Sequence, residues 1–498
     1  MGKIKIIQLF ILLFVSAECC SSETMNQGNK EDEKFAPAEF NIEYARQQEA
    51  KGWAKMPEIL ALINPPTFPG NIVELTEFGG KGDATTDNRL FFEKAIAALA
   101  EKGGGKLLVT PGTYWVDGPI VMKSNIHIEI QKNAIIRFSS NLASYLPVVK
   151  QRWEGTVCYN YSPLIRGHNL TNIALIGDGT IDGAGGDWSR SWRKMQDPDK
   201  AILRKMGNDK IPDEQRVFGN GFLDQDGDGN DDGYGDGKPH YLRPSLIEFY
   251  ECENILLEGL TITDSPFWTV HPVFCKNVIG RNLTITSDGS LNDDGFDPDS
   301  CEDVLIEGCT ISTHDDAISV KAGRDQDAWD RPQSRNIIVR NNTLSSGANA
   351  FCIGSEMSGG VENVFVENNT VVKGGNALNF KCNLDRGGFV RSVFIRNTTI
   401  LSCRQSLLVF TSNYHGYRGG NFPVDFRDIY ISGVTCNEVG RTAFEIAGVE
   451  SKPIQRIYLN NIRVEKAKSK LDIKYSDDIL FQQVTIDGAL VEFDSVNN

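Results

Sequence analysis

The sequence predicts an all-β fold, a parallel β-solenoid whose coils stack one on the next. Short apolar strands recur at a regular interval, each opens on an Asn or Asp turn, and no helical stretch separates them. Asn254-Ile255-Leu256-Leu257-Glu258, Asp303-Val304-Leu305-Ile306-Glu307, Asn336-Ile337-Ile338-Val339 and Asp428-Ile429-Tyr430-Ile431 are typical. From Asn254 on, successive starts lie 22 to 36 residues apart. A strand repeat of this period means coils that bury their inward side chains only by stacking on neighbours, so the array is one domain. A β-propeller would need about four strands per repeat and a blade signature, and neither is present.

The repeat is clearest from residue 170, and the predicted domain spans residues 71–498. Residues 21–70 read as a linker with a short helix at 40–55. An amphipathic helix is expected at 88–102, stopped by Gly103-Gly104-Gly105, with Lys106-Leu107-Leu108-Val109 as the first strand. That glycine run follows a helix, whereas a phosphate-binding loop precedes one. The sequons at Asn169, Asn282, Asn341, Asn368 and Asn397 share one phase of the repeat, which points to turn chemistry over glycosylation.

The chain has 498 residues, 40% hydrophobic and 23% charged, with a net charge of -15. That balance argues against a nucleic-acid partner, which needs basic patches. Lys3 and Lys5 followed by an apolar run from Ile6 to Val15 read as an export signal over residues 1–20, too short to span a bilayer. Cys19 and Cys20 after it resemble a lipoprotein signal, with Glu18 where a small residue is usual. A plain cleaved signal and a lipid anchor on either cysteine both stay open. The expected location is the periplasm, the outer membrane as a lipoprotein, or the medium. The other nine cysteines show no metal-ligand spacing and several sit inside apolar strands, so they read as small buried hydrophobes.

Two acidic clusters fall in phase. Asn292-Asp293-Asp294-Gly295-Phe296-Asp297 lies on one coil and His314-Asp315-Asp316-Ala317-Ile318 on the next. Asp294 and Asp315 are 21 residues apart, about one coil. Coils stack at about 4.8 Å, so both carboxylates should share a face. Asp315 and Asp316 cannot both point inward from a regular strand. Three crowded acids should raise at least one pKa, as a general acid needs.

These stretches resemble glycoside hydrolase family 28, the polygalacturonase or pectinase family. Residues 292–300 are similar to its Asn-Thr-Asp-Gly motif with the exo-type Asp-Pro-Asp-Ser continuation. Residues 313–323 are similar to its Gly-Asp-Asp-Cys-Ile-Ala-Ile-Lys-Ser-Gly motif, and 353–361 to the segment after its catalytic histidine. Residues 163–183 and 243–273 resemble it too, and the likeness runs over about 71–465. It implies a right-handed, single-stranded parallel β-helix and inverting hydrolysis of α-galacturonosyl bonds in pectin. Carried over, Asp315 would be the general acid, with Asp294 and Asp316 holding the attacking water. Inversion would fit carboxyls about 6.5–9.5 Å apart.

Two departures from the family pattern stand out. Ala348 occupies the place of the catalytic histidine in Gly-His-Gly, and Asn379 that of the arginine in Arg-Ile-Lys, while the lysine survives as Lys381. Losing a bidentate arginine removes a strong carboxylate clamp. The sugar beside galacturonate is therefore expected to be neutral, such as rhamnose, and the enzyme an exo-α-galacturonidase on rhamnogalacturonan or decorated pectin. The alternatives are an exo-polygalacturonase on homogalacturonan, an endo-acting rhamnogalacturonan hydrolase, and a non-catalytic pectin-binding protein.

Lys381 is the main choice for the galacturonate carboxylate, with Asn379 also expected at the substrate. His271, one coil before Asp294, is expected to contact substrate or tune the acid, with a structural histidine the alternative, and His314 is a second candidate. Tyr414 and Arg418, in an aromatic and basic loop, are expected sugar contacts. Asp224, Asp226, Asp228 and Asp232 resemble a calcium loop, but Gly235 stands where a bidentate Glu is usual. A structural Ca²⁺ is thus an option, and the chemistry requires no cofactor. Residues 184–243 and 323–335 read as long loops that could wall off the cleft. A monomer acting on a pectic polysaccharide or oligosaccharide is the expected assembly.

Overall fold

The computed structural model describes residues 40–219, 238–287 and 290–491, except for the side chains at 187, 189–191 and 193. The leader with Cys19 and Cys20 and the loop of Asp224, Asp226, Asp228 and Asp232 lie outside the described residues.

The strands form a parallel β-helix. One sheet begins earlier than the sequence suggests: Ile72–Glu74 pairs with Gly105–Val109, which pairs with Ile126–Ile130 and then Thr171–Gly177. The column continues through Glu253–Glu258, Lys276–Arg281, Glu302–Glu307, Ser334–Arg340 and Val361–Glu367. Alternate residues such as Val278, Val304 and Ile337 face the central core. The pairing is in register because a one-residue slip would turn this whole set outward.

These strands are apolar on both faces, since helix α1 (Ile42–Leu62) covers the outside. Ala45, Met56 and Ile59 pack on Leu256, Ile279, Leu305, Ile338 and the stacked rings of Phe365, Phe394 and Tyr430. α1 is longer than the expected 40–55 because Pro57 lies within it without ending it. Helix α2 (Arg89–Glu101) falls where expected and packs Phe92, Ile96 and Leu99 into the first coils.

Turns are built by left-handed residues. Asn169, Asn282, Asn341, Asn368 and Asn397 all have positive φ, as do Asn254, Asn277, Asn336 and Asn363 at the other corner. Asparagine tolerates this conformation. At the second corner the amides also hydrogen-bond up the stack, from Asn277 to Asn254 and from Asn254 to Asn172. The nine cysteines in the described residues are free and buried.

The segments read as loops contain helices. Helix α3 (Gly185–Asn208) buries Trp188, Trp192 and Leu203 along one stripe, and α4 (Asp325–Ala328) is a single turn. The apolar residues of α3 are sparse and Pro198 interrupts the stretch, which hid its helical period.

Candidate active site

A further column of parallel strands carries the acids. Val270 aligns with Phe296, then Ile318, Phe351, Leu378 and Leu408, all pointing into the core. Side chains two residues before these core positions emerge on the outer face, so Asp294, Asp316, Asn349 and Asn376 share one line. The chain bends at residues 314–317 before strand Ile318–Val320, so strand alternation does not bind Asp315 and Asp316, and both face outward. Buried Asp293 pins that bend by accepting the backbone N–H groups of His314 (3.0 Å) and Asp315 (2.8 Å).

One oxygen from each of Asp294, Asp315 and Asp316 lies within 4.8 Å of the others. That is the spacing of a cation's ligands, and two ammonium groups already take the cationic role. Lys321 Nζ is 3.1 Å from Asp294 Oδ2 and 3.5 Å from Asp297 Oδ2, and sits over the Trp268 ring at 3.9 Å. Lys381 Nζ donates to Asp316 Oδ2 at 2.6 Å.

The three acids are driven apart in pKa. Burial, aided by Asp297, Asp315 and Asp316 and opposed by Lys321, raises Asp294 well above the carboxylate range. Burial and the Asp316 charge push Asp315 up to about 6, against Lys381 and Lys321. Burial also works against ionised Asp316, yet Lys381 and Lys321 outweigh it and hold its pKa below the usual value. A fourth acid, Asp297, is pushed by burial up to about 7. Its two oxygens accept no hydrogen bond among the described residues. Diverging pKa values of this kind separate a proton donor from a permanent base.

The triad opens into a cavity of about 500 Å³. Its far wall is the polar face of α3, with Lys194, Lys200 and Arg204; Trp268, Arg324, Glu356 and Tyr414 complete it. Glu154 pairs with Arg204 and lies 3.6 Å from Lys200, while Glu356 pairs with Arg324. The apolar face of α3 locks the wall: Trp188 meets Tyr145 at 5.4 Å and Trp192 meets Tyr241 at 5.4 Å.

The expected site residues divide. Lys381 and Tyr414 line the cavity with Asp294, Asp315 and Asp316, and Lys381 lies 5.2 Å from the Tyr414 ring centre. Lys381 gives one donor to Asp316, and an ammonium has three. His271 is a correction. It is fully buried, with Nδ1 2.9 Å from Glu248 Oε2 and Nε2 3.5 Å from Asp299 Oδ2. Burial opposes its charge, but the two carboxylates push it up to about 9. Its ring stands edge-on beneath Trp268 at 4.7 Å, so it supports the cavity wall and does not line the cavity.

Asn379 is a second correction: it is buried and donates to Asn349 Oδ1 at 2.8 Å, and Asn349 donates to Asp316. It steadies Asp316 and does not line the cavity. Arg418 is a third. Its guanidinium pairs with Asp325 and its backbone N–H with Asp385 at 2.8 Å, tying the loop to α4. Ala348 is half-buried and His314 exposed on the neighbouring coil.

Sequence reasoning missed Lys321, Trp268, Glu356, Arg324 and the α3 cations. Lys321 carried a usable signal: a lysine ending the apolar strand Ile318-Ser319-Val320 on the same outer face as the acids. The α3 residues had none, since the directly paired strands Thr171–Gly177 and Glu253–Glu258 are offset by 82 residues.

Comparison with known proteins bears on this arrangement. The profile of the family described as glycosyl hydrolases family 28 matches residues 197–483. A probable polygalacturonase of Vitis vinifera is 30% identical over 413 residues, 79% of this chain and 74% of that protein. The exo-poly-alpha-D-galacturonosidase of Dickeya chrysanthemi is 24% identical, over 77% of this chain and 65% of that protein. Among solved structures, a hyperthermoactive exopolygalacturonase from Thermotoga maritima superposes with a TM-score of 0.78 at 33% identity, covering 88% of this chain and 96% of the other.

Proposed function

The chain belongs to glycosyl hydrolase family 28, and from that premise we propose that this glycoside hydrolase releases galacturonic acid from the end of a pectic chain. The observation that carries this reading is the acid triad at the floor of a cavity walled by α3. A cavity walled on one side by α3 suits a chain end, and the Lys200, Arg204 and Lys381 side chains suit an acidic sugar there. Asp315, half-buried at the cavity edge, donates its proton to the glycosidic oxygen as the bond to the anomeric carbon breaks. A water held by Asp294 and Asp316 attacks that carbon, and its proton passes to ionised Asp316. Atoms and charge balance with one water consumed.

One oxygen from each of the three acids lies within 4.8 Å of the others. That spacing suits a water, because two acceptors that far apart can each take one of its hydrogens at about 2.8 Å. That arrangement supports inversion by a held water.

For the substrate, Ala348 and Asn379 support a neutral neighbour to galacturonate, hence rhamnogalacturonan or a decorated pectin. Galacturonate release from rhamnogalacturonan oligomers should exceed release from homogalacturonan oligomers of equal length; faster release from homogalacturonan would sink that assignment. The leader supports export, and Cys19 or Cys20 would carry any lipid anchor.

A further inference from the structure

On the Asp315 side of the sheet the side chains vanish. The pairings of Ile318 with Phe351 and of Asn349 with Asn376 set Ala348 beside Asp315 and Gly375 beside Ala348. Gly347 and Gly375 have no room for a side chain: a Cβ would lie 2.4 Å from His314 O in the first case and 2.2 Å from Ala348 O in the second. Two coils beyond the acid thus present a floor of nearly bare backbone.

Arg404 stands on the following coil. Cys403 bridges to Gly374, and the Arg404 N–H donates to Gly374 O at 2.8 Å. Its guanidinium reaches back and donates to Gly347 O at 3.0 Å, so it spans the Gly375 coil. The side chain is exposed and has no acidic partner among the described residues. Arg441, one coil on, pairs instead with Glu445 at 2.7 Å.

We propose that Arg404 is a specificity-determining residue that binds the carboxylate of an acidic sugar on the leaving-group side, the second unit beyond the bond cut. This rests on the galacturonidase reading and deepens it. With the end sugar in the cavity, the rest of the chain leaves past Asp315, over Ala348 and Gly375. Coils rise about 4.8 Å, of the order of one sugar unit, so the first leaving unit covers the bare floor and the second meets Arg404. The floor's own residues, Gly347, Ala348, Gly374 and Gly375, offer the first unit no charged side chain. The site therefore fits a backbone in which neutral and acidic sugars alternate. A guanidinium already held by one carbonyl keeps further donors for a carboxylate and loses less freedom on binding.

The test compares wild type, Arg404→Ala and Arg404→Lys on three substrates. These are an aryl α-galacturonide, a rhamnogalacturonan tetrasaccharide with galacturonate at its non-reducing end, and the same tetrasaccharide with its internal carboxyl reduced to the alcohol. The ratio of kcat/KM for the tetrasaccharide to that for the aryl substrate should fall at least tenfold in Arg404→Ala, mainly through KM, with partial recovery in Arg404→Lys. With the reduced tetrasaccharide the ratio should be the same in wild type and variant. An unchanged ratio, or an equal fall with the reduced substrate, overturns the inference. Failure of the wild type to cleave any of the three overturns the galacturonidase reading itself.

Discussion

At the residue scale the chemistry depends on which carboxylate keeps a proton. In the proposed mechanism Asp315 acts with its proton on, and its pKa is pushed up to about 6; activity should be lost as pH rises through that value. The same mechanism needs Asp316 ionised, and two lysines hold its pKa below the usual carboxylate value; activity should persist until pH falls below that value. The kcat/KM profile should thus be a bell whose alkaline limb lies near 6, and a limb two or more pH units higher would remove Asp315 as the acid. Stereochemistry gives a second check. Proton NMR of the first turnovers should show β-galacturonate from an α-linked substrate, and an α product would assign a nucleophile instead of a held water. Asp294, Asp315 and Asp316 were legible because a 21-residue offset equals one coil. His271 obeyed the same spacing and misled: phase along the chain places a residue in a column without saying whether another layer covers it, and Trp268 covers His271.

At the element scale, α3 was not foreseen, and α1 was foreseen as a short helix at 40–55 without the surface it covers. The strands under α1 are apolar on both faces, which calls for a covering layer, yet nothing local in residues 42–62 says which sheet they meet. Gly52 reports on that contact, since a Cβ there would lie 2.0 Å from Phe394 Cε1. Alanine in a helix interior gains about 0.5–1 kcal/mol over glycine, while overpacking costs about 1–3 kcal/mol. Gly52→Ala should therefore lower stability by about 1 kcal/mol in denaturant unfolding, and a gain would mean α1 docks elsewhere. Helix α3 shows the converse: its aromatic stripe holds it down, and its charged face serves the cavity, so a polar and Pro-interrupted sequence still makes a rigid wall.

At the scale of the molecule, the solenoid converts sequence period into a catalytic surface. Each coil contributes one or two outward side chains, and stacking sets Asp294, Asp316 and Asn349 in line without any long-range folding signal. The fold class was readable for this reason, and so was the phase of the turns, whose asparagines adopt the left-handed conformation throughout. The extent of the cavity was not, because it needs α3 and Glu154 brought across from distant segments. The central claim is that the triad removes galacturonate from a chain end. The direct measurement is the time course of products from a rhamnogalacturonan oligosaccharide, resolved by anion-exchange chromatography for wild type and Asp315→Asn. Monomeric galacturonate should be the first product, and the variant, folded by circular dichroism, should be about 10²- to 10⁴-fold slower. Internal fragments appearing first, or a variant as fast as wild type, would contradict it.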